Sequence, residues 1–115
     1  MSIQRHITNQ RLSEAVVANG FIFLAGQVPT IDTPDAEAQT VDVLKQIDAL
    51  LADLGSDKSK ILEATIYLTD LANYDALNRA WDAWVPAGHA PARACVKADI
   101  ANPNWLVEIK LTALV

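Results

Sequence analysis

Asn19 and Gly20 lie between two apolar runs, residues 15–18 and 21–25, and no other feature constrains the fold as much. An Asn-Gly pair favours a tight type I′ turn, so the two runs are predicted to form an antiparallel hairpin. The second run is apolar at every position, and residues 61–68 are nearly so. An antiparallel strand with one wet face alternates apolar and polar residues. We therefore expect a sheet that is covered on both faces.

Two amphipathic helices and three more strands follow the hairpin. Thr33 and Pro34 predict the start of the first helix, as a cap and a first helical residue, and Gly55 predicts its end. The second helix is predicted to begin near Asn73 and to end before Pro86. The further strands are predicted at residues 61–68, 92–98 and 106–114. The order β-β-α-β-α-β-β is typical of an α+β fold.

Two helices can cover only one face of such a sheet. The chain has 115 residues and no linker that divides it, so residues 1–115 are predicted to form a single domain. The simplest cover for the second face is another copy of the chain, and an obligate homo-oligomer is predicted.

Composition excludes several classes of partner and location. The net charge is −5, which repels phosphate backbones and makes nucleic acid a poor partner. The N-terminal residues lack the apolar core of a signal peptide, and no apolar run approaches the roughly 20 residues that cross a bilayer. A single cysteine, Cys95, fits a reducing compartment, so a cytoplasmic location is predicted. His6 and His89 match no zinc-ligand spacing, and no metal is expected.

Polar and apolar residues alternate along the last two predicted strands, and alternate strand residues share a face. The polar residues predicted to point away from the helices are Arg93, Cys95, Lys97, Glu108, Lys110 and Thr112. That face is the predicted boundary between subunits, where ligand clefts are common. Arg93 offers a planar fork of donors for a carboxylate, and Glu108 could act as a general acid or base. The alternative is that Arg93 and Glu108 form a structural ion pair at the interface.

Four segments together resemble the RidA (YjgF/YoaB, L-PSP endoribonuclease) family in order and spacing over nearly the whole chain. They are Ala-Gly-Gln-Val at 25–28, Ile-Tyr-Leu-Thr-Asp at 66–70, Pro-Ala-Arg-Ala-Cys-Val at 91–96 and Val-Glu-Ile at 107–109. Residues 81–91 resemble the YoaB branch most.

The resemblance implies a chorismate mutase-like fold and a homotrimer with three clefts between subunits. It implies an enzyme, a 2-imino/2-enamino acid deaminase that hydrolyses compounds such as 2-aminoacrylate or 2-iminobutyrate to 2-keto acids and ammonia. It also implies that no metal or organic cofactor is required.

The resemblance assigns roles to several residues. Arg93 matches the arginine that holds the substrate carboxylate, and Glu108 matches the glutamate that positions or activates water. Cys95 matches a cysteine that lines the pocket, and Gly26 a glycine at the site. Trp84 is predicted to reach the rim of the cleft.

Three positions leave the activity open to alternatives. Leu12 stands where archetypal members have a tyrosine, and Lys110 stands where many have a second acidic residue. Trp105 could close a cleft or anchor its loop. The alternatives are a carboxylate-binding metabolite sensor without turnover, an endoribonuclease and a redox-triggered holdase. A separate alternative makes Cys95 a covalent nucleophile, which would require a nearby base.

Overall fold

The computed structural model describes residues 2–115, which form one six-stranded sheet with two helices. The elements are β1 (Ile3–Thr8), β2 (Ser13–Ala18), β3 (Phe21–Leu24), α1 (Ala36–Asp53), β4 (Ile61–Leu68), α2 (Tyr74–Trp84), β5 (Ala92–Lys97) and β6 (Val107–Leu114). The strand order is β1-β2-β3-β6-β4-β5. The β4–β5 pair is parallel and the other neighbouring pairs are antiparallel. The predicted α+β class is confirmed.

The predicted hairpin is confirmed as β2 and β3. Asn19 and Gly20 have φ angles of 54° and 82°, the left-handed conformation that an Asn-Gly turn favours. Ile22 is fully buried, whereas Phe21 and Phe23 are 37% and 44% exposed. One face of β3 therefore enters the core, and the other leaves two aromatic rings uncovered.

Strand β1 was missed in the sequence. It pairs with β2 at the edge of the sheet, and five of its six residues are exposed. An edge strand with so little buried surface carries no apolar alternation, and alternation is the signal by which strands are recognised.

The predicted start of α1 at Thr33 and Pro34 is wrong by two residues. Asp35 is the cap, and its carboxylate accepts a 3.0 Å hydrogen bond from the Ala38 N–H. Aspartate caps helices as well as threonine does, so the two candidates could not be ranked. The predicted end is confirmed, because Gly55 follows the helix with a φ of 75°.

Helix α2 begins after Asn73, as predicted, and lies beside α1 over one face of the sheet. The core lies between this face and the two helices. Its largest fully buried apolar side chains are Ile22, Leu24, Ile47, Leu51, Ile66, Leu68, Leu77 and Ile109. Within residues 2–115, neither helix combines the length and apolarity needed to cross a membrane.

The face of the sheet away from the helices, here called the open face, carries several exposed apolar side chains. Phe21 and Phe23 belong to it, and Leu114 pairs with Phe21 in register and is 39% exposed. A monomer gains nothing by exposing such a patch, which is typical of a surface that associates.

Candidate functional site

Arg93 lies on the edge strand β5 and is held by three side chains of α2. Its guanidinium donates to Asn78 Oδ1 at 2.9 Å and to Tyr74 Oη at 3.1 Å. Its Cζ atom lies 5.2 Å from the centroid of the Trp81 ring and 5.8 Å from that of Tyr74. Two neutral acceptors and two aromatic rings therefore fix the guanidinium without neutralising its charge.

This placement contradicts the prediction that Arg93 and Cys95 point away from the helices. Arg93 pairs in register with Ala64, and Cys95 pairs with Ile66. Both partners are buried under the helices, and register partners share a face of the sheet. The alternate residues of β5 were expected to pack on the helices, but Ala92, Ala94 and Val96 are all exposed. The arginine fits the helix side because β5 is an edge strand, where a long side chain can cover Trp81 and still reach water.

Arg93 has no acidic partner in the described part of the chain. Among residues 2–115 the one ion pair is Arg79 with Glu37, at 2.6 Å on the surface. The alternative of an ion pair between Arg93 and Glu108 is therefore not found within one chain. A guanidinium that is fixed but lacks a counter-ion is suited to an anionic ligand.

Glu108 lies on the open face, as predicted. Its neighbours Val107 and Ile109 are fully buried on the helix side, and Glu108 itself is half-buried. Its carboxylate lies directly over Gly26: a Cβ atom on Gly26 would be 2.1 Å from Glu108 Oε2 and 2.8 Å from Cδ. Only glycine at position 26 leaves room for the carboxylate in this position.

Gly26 lies in a bulge that follows β3. Phe23 pairs with Thr112, and Gln27 forms a bridge with Ile109. The segment from Phe23 to Gln27 advances four residues while the paired segment from Thr112 to Ile109 advances three, so the first segment contains one extra residue. The extra residue lies in the segment between these two pairs, which contains Gly26, the residue that faces the Glu108 carboxylate.

Arg93 and Glu108 do not converge within one chain. Arg93 pairs in register with Ala64 of β4, and Ala64 pairs with Leu111 of β6. Leu111 is three residues from Glu108 along β6. Three residues along a strand span about 10 Å and two strand spacings about 10 Å, which puts the Cα atoms roughly 14 Å apart. The two side chains also point to opposite faces. A pocket that uses both must take them from different chains.

Cys95 packs against the core and is partly exposed. Burial raises the pKa of its thiol, and the opposing effect of the nearby Arg93 charge is smaller. A raised thiol pKa lowers the thiolate fraction at neutral pH, and the thiolate is the nucleophile. This argues against Cys95 as a covalent nucleophile and leaves its proposed role as a wall of the pocket.

We expect iodoacetamide at neutral pH to alkylate Cys95 several-fold more slowly in the native protein than in the same protein unfolded in urea. The raised thiol pKa and partial burial both reduce the rate. Mass spectrometry of the alkylated fraction over time measures it. An alkylation rate in the native protein equal to or above that in the unfolded protein would contradict the lowered reactivity of Cys95 and support its role as a nucleophile.

Trp84 faces α1, whereas Trp81 lies beside Arg93. The Trp84 indole N–H donates to both carboxylate oxygens of Asp48 at 3.1 and 3.0 Å, and the Lys58 ammonium lies 5.4 Å from its ring centroid. These contacts place Trp84 in the groove between the helices. The predicted role at a cleft rim gains no support from them.

Three further predicted positions are distributed over the molecule. Lys110 donates from Nζ to the Leu24 carbonyl at 3.0 Å, across the bulge, and shares the face of Glu108. Leu12 is 46% exposed in the β1–β2 loop, at the opposite edge of the sheet from β5. Trp105 is half-buried, and its backbone N–H donates to the Asn102 carbonyl at 3.0 Å.

The sequence reading missed Tyr74 and Trp81 as neighbours of Arg93. Tyr74, Asn78 and Trp81 stand four and three residues apart, so they line one face of α2. That spacing was available in the sequence, but it reveals a site only once β5 is known to lie beneath α2. No group of three or more His, Cys, Asp or Glu side chains in residues 2–115 is arranged to hold a metal ion.

The sequence resembles known proteins along its whole length. The family described as Endoribonuclease L-PSP matches residues 3–115. The RutC family protein YoaB of Escherichia coli (strain K12) is 47% identical over 115 residues, which is 100% of both chains. A RutC family protein of Haemophilus ducreyi is 51% identical over 109 residues, covering 95% of this chain and 92% of the relative.

Solved structures share the fold. A member of the YjgF protein family from Neisseria meningitidis superposes with a TM-score of 0.96 at 55% identity, over 99% of this chain and 95% of that one. A protein of unknown function of the conserved Rid protein family from Yersinia pestis gives a TM-score of 0.87 at 32% identity, over 94% and 90% of the two chains.

Proposed function

The chain belongs to the Endoribonuclease L-PSP family, and from that premise we propose that it hydrolyses reactive 2-imino and 2-enamino acids to 2-keto acids and ammonia. The observation that carries the proposal is Arg93, whose guanidinium is fixed by Asn78 and Tyr74 and has no acidic partner in residues 2–115. A substrate carboxylate would supply the missing anion.

The proposed chemistry matches these residue types. A 2-imino acid, such as 2-iminobutyrate, carries its carboxylate next to an electrophilic C=N carbon. Arg93 would hold the carboxylate and orient that carbon, which lowers the entropic part of the barrier. Glu108 would accept a proton from the attacking water, a contribution typically worth about 10²–10⁴ in rate. Glu108 then returns that proton to the nitrogen of the tetrahedral adduct. The C–N bond breaks as the adduct's hydroxyl loses its proton and becomes the keto C=O, and ammonia leaves.

The proposed site is shared between subunits of a homotrimer. Because Arg93 and Glu108 face opposite sides of the sheet about 14 Å apart, each cleft would combine Arg93 of one subunit with Glu108 of another. The exposed Phe21 and Phe23 support association through the open face. Cys95, next to Arg93, and Gly26, beneath Glu108, would line the same cleft.

Arg93→Ala is expected to lower keto acid release about 10–100-fold, because a charge-assisted contact to the carboxylate is lost. The assay couples the protein to a dehydratase that generates 2-iminobutyrate and measures 2-ketobutyrate above the uncatalysed rate. Arg79→Ala is the matched control, since Arg79 is exposed and its ion pair with Glu37 is on the surface.

Wild-type protein that fails to accelerate hydrolysis of any 2-imino acid tested would contradict the proposed activity. An Arg93→Ala variant that is folded and fully active would contradict the proposed role of the guanidinium while leaving the activity itself standing.

A second candidate function is a carboxylate-binding sensor without turnover. It is favoured by one observation: the groups that hold the Arg93 guanidinium lie beside it on α2, whereas Glu108 of the same chain lies on the opposite face of the sheet, roughly 14 Å away between Cα atoms. A sensor would bind 2-ketobutyrate saturably, with dependence on Arg93, and would leave the lifetime of the imine unchanged.

A further inference from the structure

Tyr74 accepts one hydrogen bond from Arg93 and retains a donor of its own. The Arg93 guanidinium donates to Tyr74 Oη at 3.1 Å, so the phenolic oxygen acts as the acceptor. The phenolic O–H can then donate elsewhere. Among residues 2–115, no side chain or carbonyl accepts from it.

Tyr74 is also accessible to a ligand. It is the first residue of α2 and is 42% exposed, whereas Trp81, the other ring beside Arg93, is 5% exposed. Tyr74 and Arg93 therefore combine at the surface, with Trp81 as the buried support beneath them.

The two groups present their donors side by side. The bond to Tyr74 uses one N–H of the guanidinium and the bond to Asn78 another, which leaves three of its five N–H groups. A carboxylate has two oxygens with about four lone-pair positions, so it can accept from the guanidinium and from a neighbouring hydroxyl together.

We propose that Tyr74 is a second ligand-binding residue of the Arg93 site, whose O–H donates to the same carboxylate that the guanidinium holds. This rests on the proposed function only in requiring a carboxylate at Arg93. It makes the site selective for ligands with a free carboxylate, because an ester or amide lacks the negative charge and the second equivalent oxygen that the two donors use.

The test measures 2-ketobutyrate binding by isothermal titration calorimetry, which needs no turnover. Tyr74→Phe, which keeps the ring over Arg93 and removes only the hydroxyl, is expected to raise Kd about 5–10-fold. Asn78→Leu, of similar volume, removes the other acceptor that orients Arg93 and is expected to raise Kd by a smaller factor, about 2–3-fold. Arg79→Ala, on the surface, is the control that leaves Kd unchanged. In the imine assay, Tyr74→Phe is expected to raise KM and leave kcat close to wild type.

The comparison separates a bond to the ligand from a role in orienting Arg93. Equal losses in Tyr74→Phe and Asn78→Leu would mean that both side chains only orient the guanidinium, and the inference would be wrong. An unchanged Kd in Tyr74→Phe would also overturn it. If Tyr74→Phe weakens 2-ketobutyrate binding and the wild-type protein hydrolyses no imine, the role of Tyr74 would be supported and the proposed activity rejected.

Discussion

Oligomers assembled from equal amounts of Arg93→Ala and Glu108→Gln chains are expected to recover roughly a quarter of wild-type imine hydrolysis, although each variant alone retains at most about a tenth of it. The expectation follows from the sheet. Arg93 lies on the helix side of β5 and Glu108 on the open face of β6, so one chain cannot supply both to one pocket.

The fraction follows from the assembly. A site is intact when its Arg93 comes from a Glu108→Gln chain and its Glu108 from an Arg93→Ala chain. Each condition holds for half of the positions in a random mixture, so about a quarter of the sites in a ring-shaped oligomer are complete. A pocket built within one chain would give no complete site.

The measurement uses equal amounts of the two chains, expressed together with the same tag, so that every oligomer of the random mixture is purified. The control mixes wild type with a chain that carries both substitutions. Sites between chains again give about a quarter of wild-type activity, whereas sites within one chain give about half. No recovery in the first mixture with half activity in the control would contradict the shared site.

The sequence predicted which side chains of β5 share a face of the sheet better than it predicted which face that is. Alternation along β5 separated Arg93 and Cys95 from Ala92 and Ala94, but it could not say which set faces the helices. In a central strand the apolar residues can be assigned to the helix side, because both faces of the strand are covered by neighbouring side chains. At an edge strand the helix layer ends, and an arginine can lie on aromatic rings with its charge in water.

Turns and helix ends that require a particular backbone conformation were predicted more reliably. The Asn19-Gly20 turn and the Gly55 stop depend on backbone conformations that few residues adopt, so the sequence states them directly. The position of Gly26 against Glu108 depends on a bulge between segments more than 80 residues apart in sequence. A pairing that distant leaves no local pattern, so only the resemblance to a family suggested that Gly26 belongs to the site.

Glu108→Gln is expected to lower kcat for imine hydrolysis about 10²–10⁴-fold while the Kd for 2-ketobutyrate changes less than about 3-fold. The amide is close to the carboxylate in shape but cannot take a proton from water. Carboxylate binding depends on Arg93 instead, and Arg93 is retained. Steady-state rates above the uncatalysed reaction give kcat, and calorimetry gives Kd.

Gly26→Ala tests the same carboxylate without changing it. The new Cβ atom would be 2.1 Å from Glu108 Oε2, so the carboxylate must move. We expect a loss of kcat in the same direction, with the protein still folded, because the clash falls on the end of a flexible side chain. Glu37→Gln, on the exposed surface of α1, is the matched control and should leave kcat unchanged.

A Glu108→Gln variant that retains most of its kcat would show that another group activates the water, and the shared cleft would then bind a carboxylate without the proposed base.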